Sequence, residues 1–106
     1  MINFTSYYFL MVCKTLVFSD HAINQMFKRD ILVEEVRTLI EVGEVIAEYP
    51  NDKPYPSCLL LGFLNLRHLH VVIASDTTND KCVVITAYEP TEELWEADFK
   101  TKKNQL

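Results

Sequence analysis

The sequence predicts an α+β domain in which two N-terminal helices pack on an antiparallel sheet of four to five strands. Two stretches of helical period, His21–Arg29 and Val33–Val42, come first. After Gly43 the period falls to that of strands, and four apolar runs follow one another with turn-forming residues between them. Helices gathered ahead of consecutive strands favour a meander with helices on one face over alternating βαβ units.

Taken in order, Thr15-Leu16-Val17-Phe18 is a short β-type run, and Ser19 and Asp20 behind it are both good helix N-caps. The first helix sets Ala22, Ile23, Met26 and Phe27 on one face, and Asp30 ends it. In the second, Val33, Val36, Leu39 and Ile40 turn inward and Glu34, Glu35, Arg37 and Glu41 outward, with Gly43 at the C′ position. Strands are expected over Glu44–Tyr49, Cys58–Leu64, Leu69–Ser75 and Cys82–Glu89, the last two joined by the turn Asp76–Asp80. Pro90 stops the last strand, Thr91–Trp95 offers a single helical turn, and Lys100, Lys102 and Lys103 make a basic tail.

Between the first two strands of the meander lies Tyr49-Pro50-Asn51-Asp52-Lys53-Pro54-Tyr55-Pro56-Ser57, with three of the four prolines. Proline fixes φ and biases the preceding residue toward extended backbone, so this connector is stiff and aims Lys53 and Tyr55 in set directions. Rigid loops held over a sheet are common seats of function.

The 106 residues suit one domain, read as residues 14–103, with an apolar extension over 1–13 and a tail over 104–106. The extension is too short to span a bilayer and has no basic leader, so no membrane association is expected. Met1 and Met11 both stand as possible natural starts. A net charge of −5 restricts any nucleic-acid contact to a local basic patch. Cys13, Cys58 and Cys82 lie far apart with no Cys-x-x-Cys pair, the pattern of buried free thiols in a reducing cytoplasm rather than a zinc site.

The residues able to carry chemistry follow from strand parity. His68 and His70 fall on one side of their strand, and a hairpin turning about Thr78 would set His70 opposite Thr86 and His68 opposite Tyr88. Two imidazoles, a hydroxyl and a phenol would share one sheet face, with Arg67, Lys53 and Arg29 as sources of positive charge. Such a set suits metal-free RNA cleavage by 2′-hydroxyl attack, which needs only proton transfer and phosphate stabilisation. Each residue also has a plainer role. A strand histidine is often a hydrogen-bonder in the core, His21 can simply belong to a helix N-terminus, and Tyr88 and Trp95 can be core aromatics. His68 and His70 with His21 lack a fixed further ligand, so neither metal nor cofactor is expected.

Four motifs in order carry a family resemblance: Ser19-Asp20-His21-Ala22-x-x-Gln25-Met26-x-x-Arg29-x-Ile31; Tyr49-Pro50-x-Asp52-Lys53-Pro54-Tyr55-Pro56-Ser57; Leu69-His70-Val71-Val72; and Ile85-Thr86-Ala87-Tyr88-Glu89-Pro90 with Trp95. Over about Lys14–Lys103 the chain resembles a domain-of-unknown-function family of small prokaryotic proteins, similar in turn to the RelE/ParE toxin superfamily that includes the mRNA interferase MqsR. The resemblance implies a RelE-like fold and a cytoplasmic toxin-like endoribonuclease acting on mRNA or at the ribosome. It also implies a neighbouring antitoxin, commonly of zinc-finger type. Carried onto this sequence, the matching positions are His21, Lys53, His70 and Tyr88 as catalytic residues, with Arg29 and Tyr55 nearby as substrate contacts; strand parity and charge add Arg67, His68 and Thr86 to those contacts. Gln25 stands where many relatives have Arg, His68 where they have Pro, and the chain is acidic where such toxins are basic. The rival expectation is a non-catalytic binding module, one half of a complex or a homodimer, with tyrosine and tryptophan as anchors.

Overall fold

The computed structural model describes residues 13–104. The apolar N-terminal run, and with it the choice between Met1 and Met11, lies outside the described residues. Strand β1 (Thr15–Phe18) leads into helices α1 (Asp20–Lys28) and α2 (Val33–Val42), then strands β2 (Glu44–Tyr49), β3 (Ser57–Leu64), β4 (Arg67–Asp76) and β5 (Lys81–Tyr88). The five strands form one sheet in the order β1-β5-β4-β3-β2.

The sheet is mixed, which corrects the expectation of a purely antiparallel one. The β2–β3, β3–β4 and β4–β5 pairs are antiparallel, as hairpin connections require. Strand β1 joins the far edge parallel to β5, Leu16 opposite Cys82 and Phe18 opposite Val84. It is separated from β5 by the rest of the domain, so no hairpin constrains its direction.

Local chemistry sets the helix ends. Ser19 Oγ accepts the Ala22 N–H at 3.0 Å and caps α1. The helix closes in a Schellman arrangement with Asp30 left-handed at φ 55°, the Ile31 N–H reaching the Met26 carbonyl at 2.9 Å. Ile31 and Met26 are both buried, which supplies the apolar contact that accompanies this motif. At the start of α2, Glu35 Oε1 accepts the Leu32 N–H at 2.9 Å.

Gly43 was expected as a left-handed C′ residue, yet it is extended, with φ −73° and ψ 169°. Its requirement is space: a Cβ there would lie 2.5 Å from the Leu39 carbonyl oxygen. Gly62 on β3 likewise leaves room for Leu39, whose Cγ would sit 2.8 Å from an added Cβ. The chain's two glycines thus let α2 settle closely on the sheet.

One sheet face carries Cys58, Leu60, Leu69, Val71, Ile73, Cys82, Val84 and Ala87 against Ala22, Met26, Ile31, Val36, Leu39 and Ile40. The other face holds Leu59, Leu61, His70, Val72, Ala74, Thr86 and Tyr88, aligned across the strands by pairing. The segment after Pro90 returns over this second face, where the Phe99 carbonyl meets His70, and a bridge between Trp95 and Lys102 closes the segment on itself. It opens with the expected single turn, Trp95 N–H to the Thr91 carbonyl at 3.0 Å.

The cysteines depart from expectation. Cys13 and Cys82 form a disulfide that ties the entry of β1 to β5, while Cys58 alone is a free buried thiol. Burial, with the nearby Glu48 charge, pushes the Cys58 thiol up to about 12. Among the described residues no helix is long and apolar enough to cross a membrane.

Candidate functional site

The β4–β5 register decides which polar side chains meet. His70 lies opposite Tyr88 and Val72 opposite Thr86, whereas a turn about Thr78 would have put His70 opposite Thr86 and His68 opposite Tyr88. Two single-residue offsets produce the difference. The turn itself pairs Asp76 with Lys81, and an irregularity between Val72 and Ile73 adds one residue on β5. Two offsets restore parity, so His70, Thr86 and Tyr88 still share a face.

His70 is fully buried and both ring nitrogens are engaged. The Phe99 carbonyl, 2.8 Å from Nε2, accepts only, so the ring proton resides on Nε2. Nδ1 is then the acceptor, and the Tyr88 hydroxyl donates to it at 3.2 Å. Trp95 stands edge-on to the imidazole, ring centroids 4.6 Å apart at 89°. Burial holds the imidazole below its ordinary range; the Phe99 bond opposes this and the His68 charge adds to it. Burial raises the Tyr88 phenol, helped by Tyr49 and opposed by Arg29. The pair is therefore a neutral imidazole and a protonated phenol at neutral pH.

Tyr88 opens onto a cleft at the free end of β5, beyond the last β1 pair, of about 460 Å³ and lined by Arg29, Tyr88, Glu89, Pro90, Leu94 and Trp95, among others. Arg29 reaches it from the C-terminus of α1 and spends one donor on the Ala87 carbonyl, Nη1 to O 2.8 Å. A guanidinium has five donors in a fork, so capacity remains for an anion in the cleft.

The remaining expected site residues stand elsewhere. Arg67 is held inside the fold, donating to the Asp30 carbonyl at 2.7 Å and to Glu35 Oε1 at 2.9 Å, with Glu89 at 3.7 Å. Burial would raise the Glu35 carboxyl, but the Leu32 N–H, Asn65 and Arg67 outweigh it and hold the group below its usual range. His68 is sandwiched between Phe63 and Phe99, at centroid distances of 4.8 and 4.6 Å. His21 is exposed on the first turn of α1. Among the described residues no three His, Cys, Asp or Glu side chains gather as metal ligands would.

Lys53 and Tyr55 line a second pocket of about 190 Å³ under the proline loop, over Val72, Ala74, Val83 and Ile85. The loop lies on the His70 face, yet toward the Asp76 end of β4 rather than above His70. Tyr55 donates to the buried Asp76 carboxylate, which raises the phenol. Asp76 itself is held low, first by the Asn79 side chain, 2.8 Å away.

Sequence reasoning did not single out Glu89, Leu94 and the Phe99 carbonyl, and read Trp95 as a core or rim aromatic. The signal for Glu89 was adjacency to Tyr88. Nothing in the sequence pointed to a backbone oxygen beneath His70.

The sequence profile of a domain of unknown function, DUF4258, matches residues 18–89, more than half of the chain. The chain belongs to the DUF4258 family. The matched segment runs from the end of β1 to the residue after β5, so it includes Arg29, the proline loop, His70, Tyr88 and Glu89. The DUF4258 segment ends before Trp95 and Phe99, which complete the surroundings of His70. No curated protein and no solved structure matches the chain.

Proposed function

We propose that this DUF4258 domain is the toxin of a type II toxin–antitoxin pair, a metal-independent endoribonuclease of RelE/ParE type working from the β5 cleft. The observation that carries this reading is Tyr88, whose hydroxyl is oriented by a buried neutral His70 and which lines a cleft together with Arg29 and Trp95. Because Tyr88 donates its own proton inward, its oxygen lone pairs are free to accept one from the cleft. A ribose 2′-hydroxyl there would pass its proton to Tyr88 as the phenolic proton moves to His70 Nδ1. The O2′–P bond forms and the P–O5′ bond breaks, and the departing 5′-oxygen takes a proton from water. Burial keeps His70 unprotonated, as an acceptor must be, and the Phe99 carbonyl steadies the imidazolium once formed. Arg29 would neutralise the phosphate in flight, and Trp95 offers a stacking surface for a base. In this reading Tyr88 is the catalytic residue, Arg29 binds substrate and His70 positions Tyr88. A cognate antitoxin would silence the domain by covering the cleft.

A second reading, a binding module without nuclease activity, draws on the fact that Arg67 is spent on Glu35 and that His70 is inaccessible. Induced expression in a bacterium separates the two. The wild-type chain should arrest growth and fragment mRNA, and Tyr88→Phe should cut cleavage by about 10²–10⁴-fold while the protein stays folded. Arg29→Met should act in the same direction. Arrest undiminished in both variants would remove the cleft from the mechanism, and neither arrest nor cleavage by wild type would favour the binding module.

A further inference from the structure

We infer that the pocket beneath the proline loop is a subsite for one nucleotide, with guanine as its preferred base. This rests on the ribonuclease reading above and names the substrate feature that the same sheet face would select.

The pocket has the size and lining for a single heterocycle. Its volume of about 190 Å³ equals roughly six waters at about 30 Å³ each. Its floor is aliphatic, from Val72, Ala74, Val83 and Ile85, and Pro54 and Tyr55 stand in the wall. Tyr55 is anchored by donating to Asp76, which fixes that wall.

One polar group in the lining dictates what the base must present. Ser57 Oγ donates to Asp52 Oδ2 at 2.6 Å, and both residues line the pocket. An ionised carboxylate only accepts, and the hydroxyl occupies one of its several lone-pair directions. A base matching Asp52 must therefore offer N–H donors. Guanine presents two adjacent donors, N1–H and the 2-amino group, at the spacing of two carboxylate oxygens. Uracil flanks its single N–H with carbonyl oxygens that repel the carboxylate. Adenine and cytosine pair one amino group with a ring-nitrogen acceptor. Lys53, exposed on the same loop, supplies the cation for the nucleotide's phosphate.

The position fits a nucleotide near the one being cut. Ile85 in the floor and Tyr88 in the cleft lie three residues apart on one strand, about 10 Å at ~3.3 Å per residue. Thr86, half-buried on the same face, stands between them.

Titration of the ¹⁵N-labelled full chain with GMP, AMP, CMP and UMP tests this without any turnover. GMP should shift the amides of Val72, Ala74, Val83 and Ile85 and saturate at roughly tenfold lower concentration than the others, the discrimination of one bidentate pair. Asp52→Asn should erase the preference, Lys53→Ala should weaken all four nucleotides alike, and Val72→Phe should fill the floor and abolish the shifts. Shifts confined to other regions, or a preference unchanged in Asp52→Asn, would overturn the subsite. GMP preference in a chain that cuts no RNA would uphold the subsite and retire the nuclease. RNA cutting without nucleotide shifts at the floor would retire the subsite alone.

Discussion

His70 shows how one residue can be indispensable to a site without touching substrate. Its two nitrogens answer one backbone acceptor and one phenolic donor, so replacing it with Leu leaves both partners unpaired in a buried place. The cost should be about 2–6 kcal/mol in chemical denaturation, from two desolvated groups at about 1–3 kcal/mol each. The pH dependence has a definite sign. The folded imidazole titrates below its ordinary 6.5, so the unfolded chain binds the proton first. His70's contribution is fully present above pH 6.5 and is lost as pH falls through the lower folded value. Wild type should lose stability across that window relative to His70→Leu; parallel curves would contradict an imidazole held neutral by burial. Leu66 makes the opposite case. It is 91% exposed with φ 66°, in the two-residue turn between β3 and β4, where its neighbour Asn65 also has positive φ. A branched side chain in left-handed backbone costs about 1–2 kcal/mol, so Leu66→Gly should raise stability by about 1 kcal/mol. No gain in denaturant midpoint would show that the turn carries no such strain.

At the scale of elements, the Glu35–Arg67 pair joins the start of α2 to the start of β4, and Asn65 adds the β3–β4 turn to the same carboxylate. Breaking it from one side leaves a charge in a largely buried place, so Arg67→Met should destabilise by about 3–5 kcal/mol, with Glu35→Gln/Arg67→Met together less costly than the sum of the single changes. Additive losses in a double-mutant cycle would deny the coupling. Gly62→Ala should shift α2 outward and cost about 1–3 kcal/mol, measured as a lower denaturation midpoint. These elements were largely legible beforehand. Helix periodicity and the Ser19 cap gave α1 and α2, and alternation gave four strands almost to their ends. Two features were not. A bulge on β5 leaves no sequence signature when the extra residue is an ordinary Ile85; with the one-residue offset of the turn it moved the His70 partner by two residues. The direction of β1 depends on how the chain end returns to β5, a long-range matter that local pattern does not encode. The Cys13–Cys82 link was missed for the same reason, since only the β1–β5 pairing brings these distant cysteines together.

For the molecule as a whole, the acidic charge and the proposed substrate meet in a restricted way. Arg29 and Lys53 are the cations placed in the cleft and the loop pocket, so binding should engage about two phosphates rather than a broad basic face. For a single-stranded RNA the slope of log affinity against log salt should then be about −1.4, at ~−0.7 per contact. A much steeper slope would mean that the lysines of the C-terminal segment also hold the strand. The site was only half legible from the sequence: shared parity joined His70 to Tyr88, but it could not show that Arg67 is committed to Glu35 or that Lys53 sits over a separate pocket. Both facts depend on tertiary packing. The central claim is that Tyr88, oriented by His70, moves the proton of a 2′-hydroxyl. Mass spectrometry of RNA ends after incubation with the purified domain in EDTA tests it most directly. The account predicts 2′,3′-cyclic phosphate and 5′-hydroxyl ends from wild type and their loss in Tyr88→Phe. Intact RNA with wild type, or the same ends at the same rate from Tyr88→Phe, would contradict it.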